Sequence, residues 1–384
     1  MSERLAFIKA CLQRSEHIVE ICDRFGISEK TGHKWLHRFQ EGGVEALGDR
    51  SHARRDQPHR MAQEIATQIV KLRRKTGYGA AKLRDVLRQQ RPHVRWPSAS
   101  CIGELLQRER LIRRRRRRSH AAERAALDHR RTPAEAPNEV WTADFKGEFR
   151  LTTGLYCYPL TVLDLHSHYL LGCSALHTTA VAPTRRAFQR LFREFGLPRV
   201  IRTDNGVPFA QHNALGRLGA LAFWWVRLGI RPEHITPARP AENGAHERFH
   251  RTLKAKTVHP PASSLGTQQR RFDRFRQDYN DTRPHESLPG HLPPDKVYAA
   301  ATRPYPERLP TICYPVAADV RRVDRGGNIK WRAQQVFLST NLSGQYVSLT
   351  ETASDLVTIA YASLALGDLD PQLQRFIPRV RWLD

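Results

Sequence analysis

The chain has 384 residues and a formal net charge of +25, because 63 Lys and Arg outnumber 38 Asp and Glu. Its length exceeds that of one ordinary domain and predicts two to four domains, each with its own core. The positive charge favours a polyanionic partner. No stretch approaches the ~20 apolar residues of a membrane helix, and the first residues lack the pattern of a signal peptide. We therefore expect a soluble cytoplasmic protein without a membrane partner.

The first fifty residues carry the spacing of short amphipathic helices, which breaks at Gly26. Ser28 is placed to cap a further helix that ends near residues 42–43. A helix, a tight glycine turn and a second helix form the helix-turn-helix layout, in which the second helix enters the major groove. We predict a DNA-binding domain over residues 1–50, with an ordinary helical hairpin as the alternative. The side chains expected to face DNA are Thr31, Lys34 and Arg38.

Residues 58–118 repeat this arrangement, with helical spacing on either side of Gly77-Tyr78-Gly79 and Ser98 as a cap. Residues 51–135 contain 23 basic and 8 acidic side chains, and six consecutive arginines lie within them. Phosphates would relieve the repulsion in this run, whereas a solvated linker is the alternative. We predict a second helix-turn-helix domain here, followed by a linker over residues 119–137. The arginines expected to contact DNA are Arg113, Arg114, Arg115, Arg116, Arg117 and Arg118.

From residue 139 onward, short β-branched and aromatic runs alternate with helical spacing, which predicts a mixed α/β sheet over residues 138–300. The expected strands are 140–145, 155–164, 169–175, 200–203 and one near 234–235, and the expected helices cover 184–195, 215–228, 243–258 and the region around 272–279. After about residue 310 the pattern changes to short strands with turns between them. The stretches 319–323, 335–338, 345–349 and 356–360 predict a small β-barrel or sheet over residues 310–384.

Three carboxylates stand at element ends within the predicted α/β region. Asp144 lies near the end of its strand, although a carboxylate is a poor strand former and is seldom buried without compensation. Asp204 ends the next clear strand at the carboxyl edge of the sheet, where open α/β folds bind ligands. Glu247 lies on a later helix, with Arg251 and Lys254 four and seven residues further along the same face. Three carboxylates on separate elements are suited to hold the two Mg²⁺ ions that phosphoryl transfer uses.

Three motifs resemble those of the DDE recombinases related to retroviral integrases, which in bacteria are insertion-sequence transposases. The motifs are Trp141-Thr-Ala-Asp144, Arg202-Thr-Asp204-Asn205-Gly206 and the run from Asn243 to Lys254. The resemblance covers roughly residues 1–300. It implies an α/β fold with an RNase H-like mixed-sheet catalytic core, N-terminal all-α helix-turn-helix domains and, from our own prediction, a small C-terminal β domain.

The resemblance also implies the chemistry and the partners. Asp144, Asp204 and Glu247 would be catalytic and would hold two Mg²⁺ or Mn²⁺ ions, while Asn205, Arg251 and Lys254 would contact DNA. The expected reaction is hydrolysis of a DNA strand at the element end, followed by attack of the freed 3′-hydroxyl on target DNA. The expected partners are duplex DNA, as terminal inverted repeats and as target, and further copies of the chain in a homodimer or larger oligomer on DNA in the nucleoid.

Three alternatives stay open at this point. Because 42 residues separate Asp204 from Glu247, more than is typical of integrase relatives, Glu242 is an alternative third ligand. The run His246-Glu-Arg-Phe-His250 matches HExxH, the signature of zinc proteases, but no third ligand follows at the expected spacing. A non-catalytic helix-turn-helix regulator would explain residues 1–118 but not the three carboxylates.

Overall fold

The computed structural model describes residues 2–13, 16–49, 61–112, 131–211, 214–235, 244–332, 334–352, 356–372 and 375–383. The arginine run at 113–118 and Glu242 lie outside the described residues, and so does the side chain of Glu247, whose backbone is described. Packing divides the chain into two units, residues 1–63 and 64–384. None of the helices in the described ranges has the length and apolar character needed to cross a membrane.

The N-terminal unit consists of three short helices. Ser28 caps the third helix as predicted, because the backbone N–H of Thr31 donates to its Oγ at 3.4 Å. Helix three crosses the other two at Gly32, where a Cβ atom would lie 2.4 Å from Sγ of Cys22. Only glycine permits this close approach without a shift of the helices. The helices are α1 Ser2–Leu12, α2 Ile18–Arg24 and α3 Glu29–Gly42.

The second helical region belongs to the larger unit. Ser98 caps its third helix, as the backbone N–H of Cys101 donates to its Oγ at 3.2 Å. The guanidinium of Arg73 donates to the carbonyl oxygens of Tyr78 at 2.7 Å and of Leu111 at 2.8 Å, which ties the turn and the end of the third helix together. The helices are α4 Gln63–Thr76, α5 Ala80–Gln90 and α6 Ala99–Arg108.

A mixed sheet with two helical layers forms the centre of the larger unit, which confirms the predicted α/β class. Its strands run in the order β2-β3-β1-β5-β6, and β4 pairs with β3. β1, β3 and β4 are antiparallel, whereas β1, β5 and β6 are parallel. The strands are β1 Val140–Phe145, β2 Phe149–Arg150, β3 Tyr156–Asp164, β4 Leu170–Leu176, β5 Val200–Thr203 and β6 Arg231–His234. The helices are α7 Val181–Phe195, α8 Ala220–Arg227, α9 Gly244–Thr257 and α10 Leu265–Thr282.

The two faces of β1 serve different layers because alternate side chains point to opposite sides of a strand. Trp141 and Ala143 are buried in the apolar core formed with α7 and α8. On the other face of the sheet, Phe249 and Leu253 of α9 pack with residues of β3, β4 and α10. Thr142 and Asp144 alternate with Trp141 and Ala143, so they share the face toward α9.

α8 is apolar around its whole circumference, which indicates burial on two sides. Trp225 packs into the core of the mixed sheet, whereas Phe223 packs against the C-terminal strands, with its ring 5.6 Å from that of Tyr361. The C-terminal β region therefore shares a core with the mixed sheet. It consists of a five-stranded sheet in the order β13-β12-β11-β10-β7 and a hairpin of β8 and β9. The strands are β7 Asp319–Arg322, β8 Asn328–Trp331, β9 Gln334–Phe337, β10 Tyr346–Glu351, β11 Val357–Tyr361, β12 Leu364–Asp370 and β13 Arg375–Trp382.

Phe188→Ala tests the packing of α7 on the sheet. Phe188 is fully buried, and its ring lies 5.1 Å from that of Trp225 and 5.7 Å from that of Phe192. The lost contacts and the resulting cavity should lower the free energy of unfolding by roughly 3–5 kcal/mol. Urea denaturation followed by circular dichroism measures the loss. Arg190→Ala, at an exposed position of the same helix, should change it by less than ~0.5 kcal/mol. Equal effects of the two substitutions would contradict this packing.

Candidate active site

The parallel pairing of β1 with β5 brings two predicted site residues together. The register aligns Val140 with Val200 and continues to Ala143 with Thr203. Asp144 and Asp204 are the next residues along the two strands, and paired strands lie ~4.8 Å apart. Both carboxylates therefore stand beside each other at the same edge of the sheet. Each is partly accessible, and 15% of the Asp144 side chain is exposed.

A tight turn holds Asp204. The backbone N–H of Gly206 donates to Oδ1 of Asp204 at 3.2 Å. A Cβ atom on residue 206 would lie 3.0 Å from Oδ2 and 3.4 Å from Oδ1 of this carboxylate. Glycine therefore avoids a steric clash with the Asp204 side chain. Nδ2 of Asn205 donates to the carbonyl of Ile235 at 2.7 Å, and Arg217 donates to Oδ1 of Asn205 at 3.3 Å. Asn205 thus ties the turn to the end of β6, and its predicted contact with DNA stays a prediction.

Asp144 is held from the neighbouring strand and from α9. Thr161 is its cross-strand partner, and the Thr161 hydroxyl donates to the carbonyl oxygen of Asp144 at 3.0 Å. Nε2 of His250 lies 2.8 Å from the same hydroxyl oxygen. The other ring nitrogen of His250, Nδ1, lies 3.9 Å from Oδ2 of Asp144. Neither the contact of Thr161 with Asp144 nor that of His250 was predicted from the sequence.

α9 presents one face to the sheet and another to solvent. His246, His250 and two apolar side chains one turn apart are buried against the sheet. Arg251 and Lys254 are exposed, as their predicted role requires. Glu247 lies in the first half of this helix between the two histidines. The side chain of Glu247 lies outside the described part, so its place beside the two aspartates stays a prediction.

The two histidines of the HExxH run contact the sheet at different threonines. Nδ1 of His246 lies 3.2 Å from Oγ1 of Thr142, and His250 contacts Thr161, so each ring has a threonine hydroxyl of the sheet as its neighbour. Burial lowers the pKa of His246 to about 3, and burial with the nearby His246 and Lys146 lowers the pKa of His250 to about 2, so both rings are neutral. Within the described side chains, no three His, Cys, Asp or Glu converge as metal ligands. The spacing of the two histidines with Phe249 and Leu253 is the signal that predicts this buried stripe.

A mostly buried ion pair joins β5 to β6, and its Arg202 lies two residues before Asp204. Nε of Arg202 donates to Oε2 of Glu233 at 2.6 Å, and the side chains are only 11% and 14% exposed. Arg202 also donates to the carbonyl of Thr132 at 2.8 Å, and the backbone N–H of Thr132 donates to Glu233 at 3.1 Å. These bonds join β5, β6 and the segment around Thr132 that precedes β1. Arg202 belongs to the second sequence motif, but its pairing with Glu233 was not predicted from the sequence.

The predicted DNA-facing residues of the N-terminal unit all lie on α3. Thr31 is part of the cap, with its hydroxyl 2.9 Å from that of Ser28, whereas Lys34 is exposed. The Arg38 guanidinium lies 4.8 Å from the centre of the Trp35 ring, and the Lys34 ammonium lies 5.4 Å from it. The Arg4 guanidinium lies closer still, at 4.0 Å, so the Trp35 ring has three cations around it. The contact of these residues with DNA stays a prediction.

The donor set at the sheet edge fits a divalent metal. Asp144 and Asp204 supply hard oxygen atoms from neighbouring strands, and such ligands suit Mg²⁺ and Mn²⁺. Two like charges at adjacent strand ends repel each other, and a cation between them removes that cost. These two side chains therefore supply donors of the kind that a divalent ion binds.

Comparison with protein families identifies the components of the chain. Residues 134–240 and 228–294 each match a family described as integrase core domain. Residues 3–56 match a helix-turn-helix domain, and residues 31–106 match a homeodomain-like domain. The matched core ranges include Asp144 and Asp204 in the first and Glu247 in the second.

Two relatives come from bacterial insertion elements. The insertion element IS407 uncharacterized 31.7 kDa protein of Burkholderia multivorans is 29% identical over 49% of this chain and 63% of that protein. The insertion element IS476 uncharacterized 39.2 kDa protein of Xanthomonas euvesicatoria is 27% identical over 63% of this chain and 66% of that protein. The chain thus matches slightly less than two thirds of each relative. A structure of the HTLV-2 integrase catalytic core domain in complex with magnesium is 16% identical, with a TM-score of 0.34, over 44% of this chain and 100% of that one.

Glu233→Gln tests the ion pair behind Asp204. The substitution leaves the Arg202 guanidinium in a mostly buried place without its counter-charge. We expect a loss of about 3 kcal/mol in the free energy of unfolding, measured by urea denaturation. The matched control is Glu194→Gln, which removes a pair with Arg276 whose side chains are 50% and 31% exposed. That loss should stay below ~1 kcal/mol. If the two losses are equal, the Arg202 pair does not anchor β5 to β6.

Proposed function

Because this chain belongs to the insertion-sequence transposases that carry an integrase core, we propose that it cuts DNA at the ends of its element and joins the freed 3′-hydroxyl groups to target DNA. One observation carries the proposal. The register of β1 with β5 runs to Ala143 and Thr203, so the residues that follow, Asp144 and Asp204, leave the two strands at the same edge of the sheet. Glu247 lies on α9, which packs on this sheet. Three carboxylates from separate elements at one edge suit a two-metal phosphoryl transfer site.

In this proposal Asp144, Asp204 and Glu247 hold two Mg²⁺ or Mn²⁺ ions. When bound, such ions neutralise charge on the attacking and leaving oxygens of the phosphodiester. Glu247 is the preferred third ligand because it lies on α9, the helix whose buried face contacts Asp144 through His250. Glu242 precedes that helix and lies outside the described residues. The turn at Gly206 and the bonds of Thr161 keep the two aspartates in place before DNA arrives.

The DNA is held by basic side chains outside the carboxylate edge. Arg251 and Lys254 project from the exposed face of α9 and would bind phosphates next to the cut. Thr31, Lys34 and Arg38 of α3 would read the terminal inverted repeats, and the arginine run at 113–118 would bind backbone phosphates. Two ends must be joined to one target, so the working form on DNA would be a dimer or a larger oligomer.

Substitution of each carboxylate by its amide tests the catalytic assignment. Asp144→Asn, Asp204→Asn and Glu247→Gln preserve size but remove the charge that holds the cations. Each should lower strand transfer by at least ~10³-fold while end binding stays within about twofold. The measurement uses labelled inverted-repeat duplexes in Mg²⁺ or Mn²⁺, with a gel assay for joining and a mobility-shift assay for binding.

Glu242→Gln is the matched control, because it alters the alternative ligand without touching α9. It should leave strand transfer unchanged. Full activity of Glu247→Gln together with loss of activity in Glu242→Gln would move the third ligand to Glu242. Full activity of Asp144→Asn would contradict the proposed function, and DNA binding without any joining by the wild type would favour a regulator.

Gly206→Ala tests the placement of Asp204. The added methyl group presses on both carboxylate oxygens, at 3.0 Å and 3.4 Å, so the carboxylate must move by a few tenths of an ångström. Small displacements of catalytic groups reduce rate strongly, and we expect roughly a 10-fold loss of strand transfer. Gly266→Ala in α10, where the nearest atom lies 4.0 Å away, is the control and should not change the rate. An unchanged rate for Gly206→Ala would show that the chemistry does not need Asp204 in this position.

The salt dependence of end binding tests the role of α9. Each phosphate contact that is lost should reduce the slope of log K against log salt by about 0.9. Arg251→Ala and Lys254→Ala should therefore each reduce the magnitude of that slope by about 0.9. The slope is measured by fluorescence anisotropy at several salt concentrations. Arg270→Ala and Arg274→Ala remove exposed charges from α10 and should leave it unchanged. Equal slopes in all four variants would remove Arg251 and Lys254 from the DNA surface.

A further inference from the structure

His250 connects the two sides of Asp144. Its Nε2 lies 2.8 Å from Oγ1 of Thr161, whose hydroxyl donates to the backbone carbonyl of Asp144 at 3.0 Å. Its Nδ1 lies 3.9 Å from Oδ2 of the same aspartate. His250 is only 7% exposed. Its contacts with Thr161 and Asp144 place Nε2 toward the hydroxyl and Nδ1 toward the carboxylate.

The count of protons assigns the state of each ring nitrogen. A threonine hydroxyl has one proton, and Thr161 donates it to the carbonyl of Asp144. In the contact with Thr161, the imidazole must then be the donor, through Nε2–H. A neutral imidazole carries one ring proton, so Nδ1 keeps its lone pair. That lone pair faces a carboxylate oxygen at a distance too long for a hydrogen bond.

We propose that His250 is itself a metal ligand, and that its Nδ1 and a carboxylate oxygen of Asp144 bind the same divalent ion. The inference rests on the proposed function, because it adds a nitrogen ligand to the carboxylate site. Two atoms that each lie ~2.1 Å from one ion are separated by at most ~4.2 Å. The observed separation of 3.9 Å lies within that limit. A lone pair and an anionic oxygen that face each other without a proton between them are suited to share a cation.

His246 provides the internal comparison. It lies one turn earlier on the same buried face of α9, but its Nδ1 lies 3.2 Å from the Thr142 hydroxyl rather than opposite a carboxylate. Of these two rings, only that of His250 therefore presents Nδ1 to a carboxylate oxygen of Asp144. A mixed nitrogen and oxygen site should also favour Mn²⁺ over Mg²⁺ more than an all-oxygen site does.

Pulsed electron paramagnetic resonance of the full chain with Mn²⁺ and without DNA tests the inference. A directly bound imidazole produces nitrogen modulation of the Mn²⁺ echo. Protein labelled with ¹⁵N-histidine should show the ¹⁵N pattern in place of ¹⁴N, which assigns the nitrogen to histidine without any substitution. This arm does not depend on the folding of a variant.

Three variants then locate the nitrogen. His250→Gln keeps a donor near the Nε2 position for Thr161 and removes Nδ1, so it should abolish the modulation and weaken Mn²⁺ binding by roughly 10-fold or more. Asp144→Asn should abolish the same modulation, because it removes the other ligand of that ion. His246→Asn keeps a polar atom near its Thr142 partner and should retain the modulation. Mn²⁺ affinity is measured by isothermal titration calorimetry on the same samples.

The outcomes separate this inference from the proposed function. Loss of modulation in His250→Gln and Asp144→Asn, with retention in His246→Asn, supports the shared ion. No nitrogen modulation in the Mn²⁺-loaded wild type, or modulation that persists in His250→Gln, overturns it. If that same wild-type protein joins DNA strands, the proposed function stands while His250 acts only in packing. If it joins none, the proposed function fails by its own assay.

Discussion

The parallel pairing of β1 with β5 is the interaction on which the site depends. Its register makes Asp144 and Asp204 neighbours, and a shift by one residue would turn one of them to the opposite face. Two adjacent carboxylates repel each other at a cost on the order of 1 kcal/mol in a partly hydrated place. The fold tolerates this cost because the strands are held from both faces. A cation bound at this edge would remove the cost.

The apolar layer behind β1 supplies that support. Trp141 alternates with Thr142 and Asp144 along the strand, so the residue that anchors β1 in the core also fixes which way the carboxylate points. On the β5 side, Arg202 joins the strand to β6 through Glu233. α8 extends the support further, because its two faces join the mixed sheet to the C-terminal strands. The C-terminal β region is thus a part of the unit that holds the site.

The strands with strong local patterns were predictable from the sequence. The bounds of β1 and β5 match the predicted stretches, and the cap at Ser28 is where its spacing placed it. β12 and β13 were not predicted, since Gly367, Asp368 and Pro378 are poor strand formers and only pairing with neighbouring strands stabilises them. Tertiary context decided these elements, because their own local preference argues against strands.

The site shows the same division between local pattern and long-range contact. The motif residues and strand ends predicted Asp144 and Asp204 as site residues, whereas their place beside each other comes from the parallel pairing of β1 with β5. The residues that contact Asp144 could not be predicted from local sequence patterns. Thr161 and His250 are 17 and 106 residues away in sequence, and their contacts depend on how α9 docks on the sheet. A match to HExxH drew attention to the correct histidines but suggested a different partner for them.

Unfolding free energies of the wild type and Asp204→Asn, with and without Mn²⁺, test the central claim most directly. If two repelling carboxylates share cations, Asp204→Asn should be more stable than the wild type by about 1 kcal/mol without metal. Mn²⁺ at 100 times its dissociation constant should then stabilise the wild type by about 2.7 kcal/mol and the variant far less, which reverses the order of stability. Equal stabilisation of both proteins by Mn²⁺, or none of either, would contradict the account.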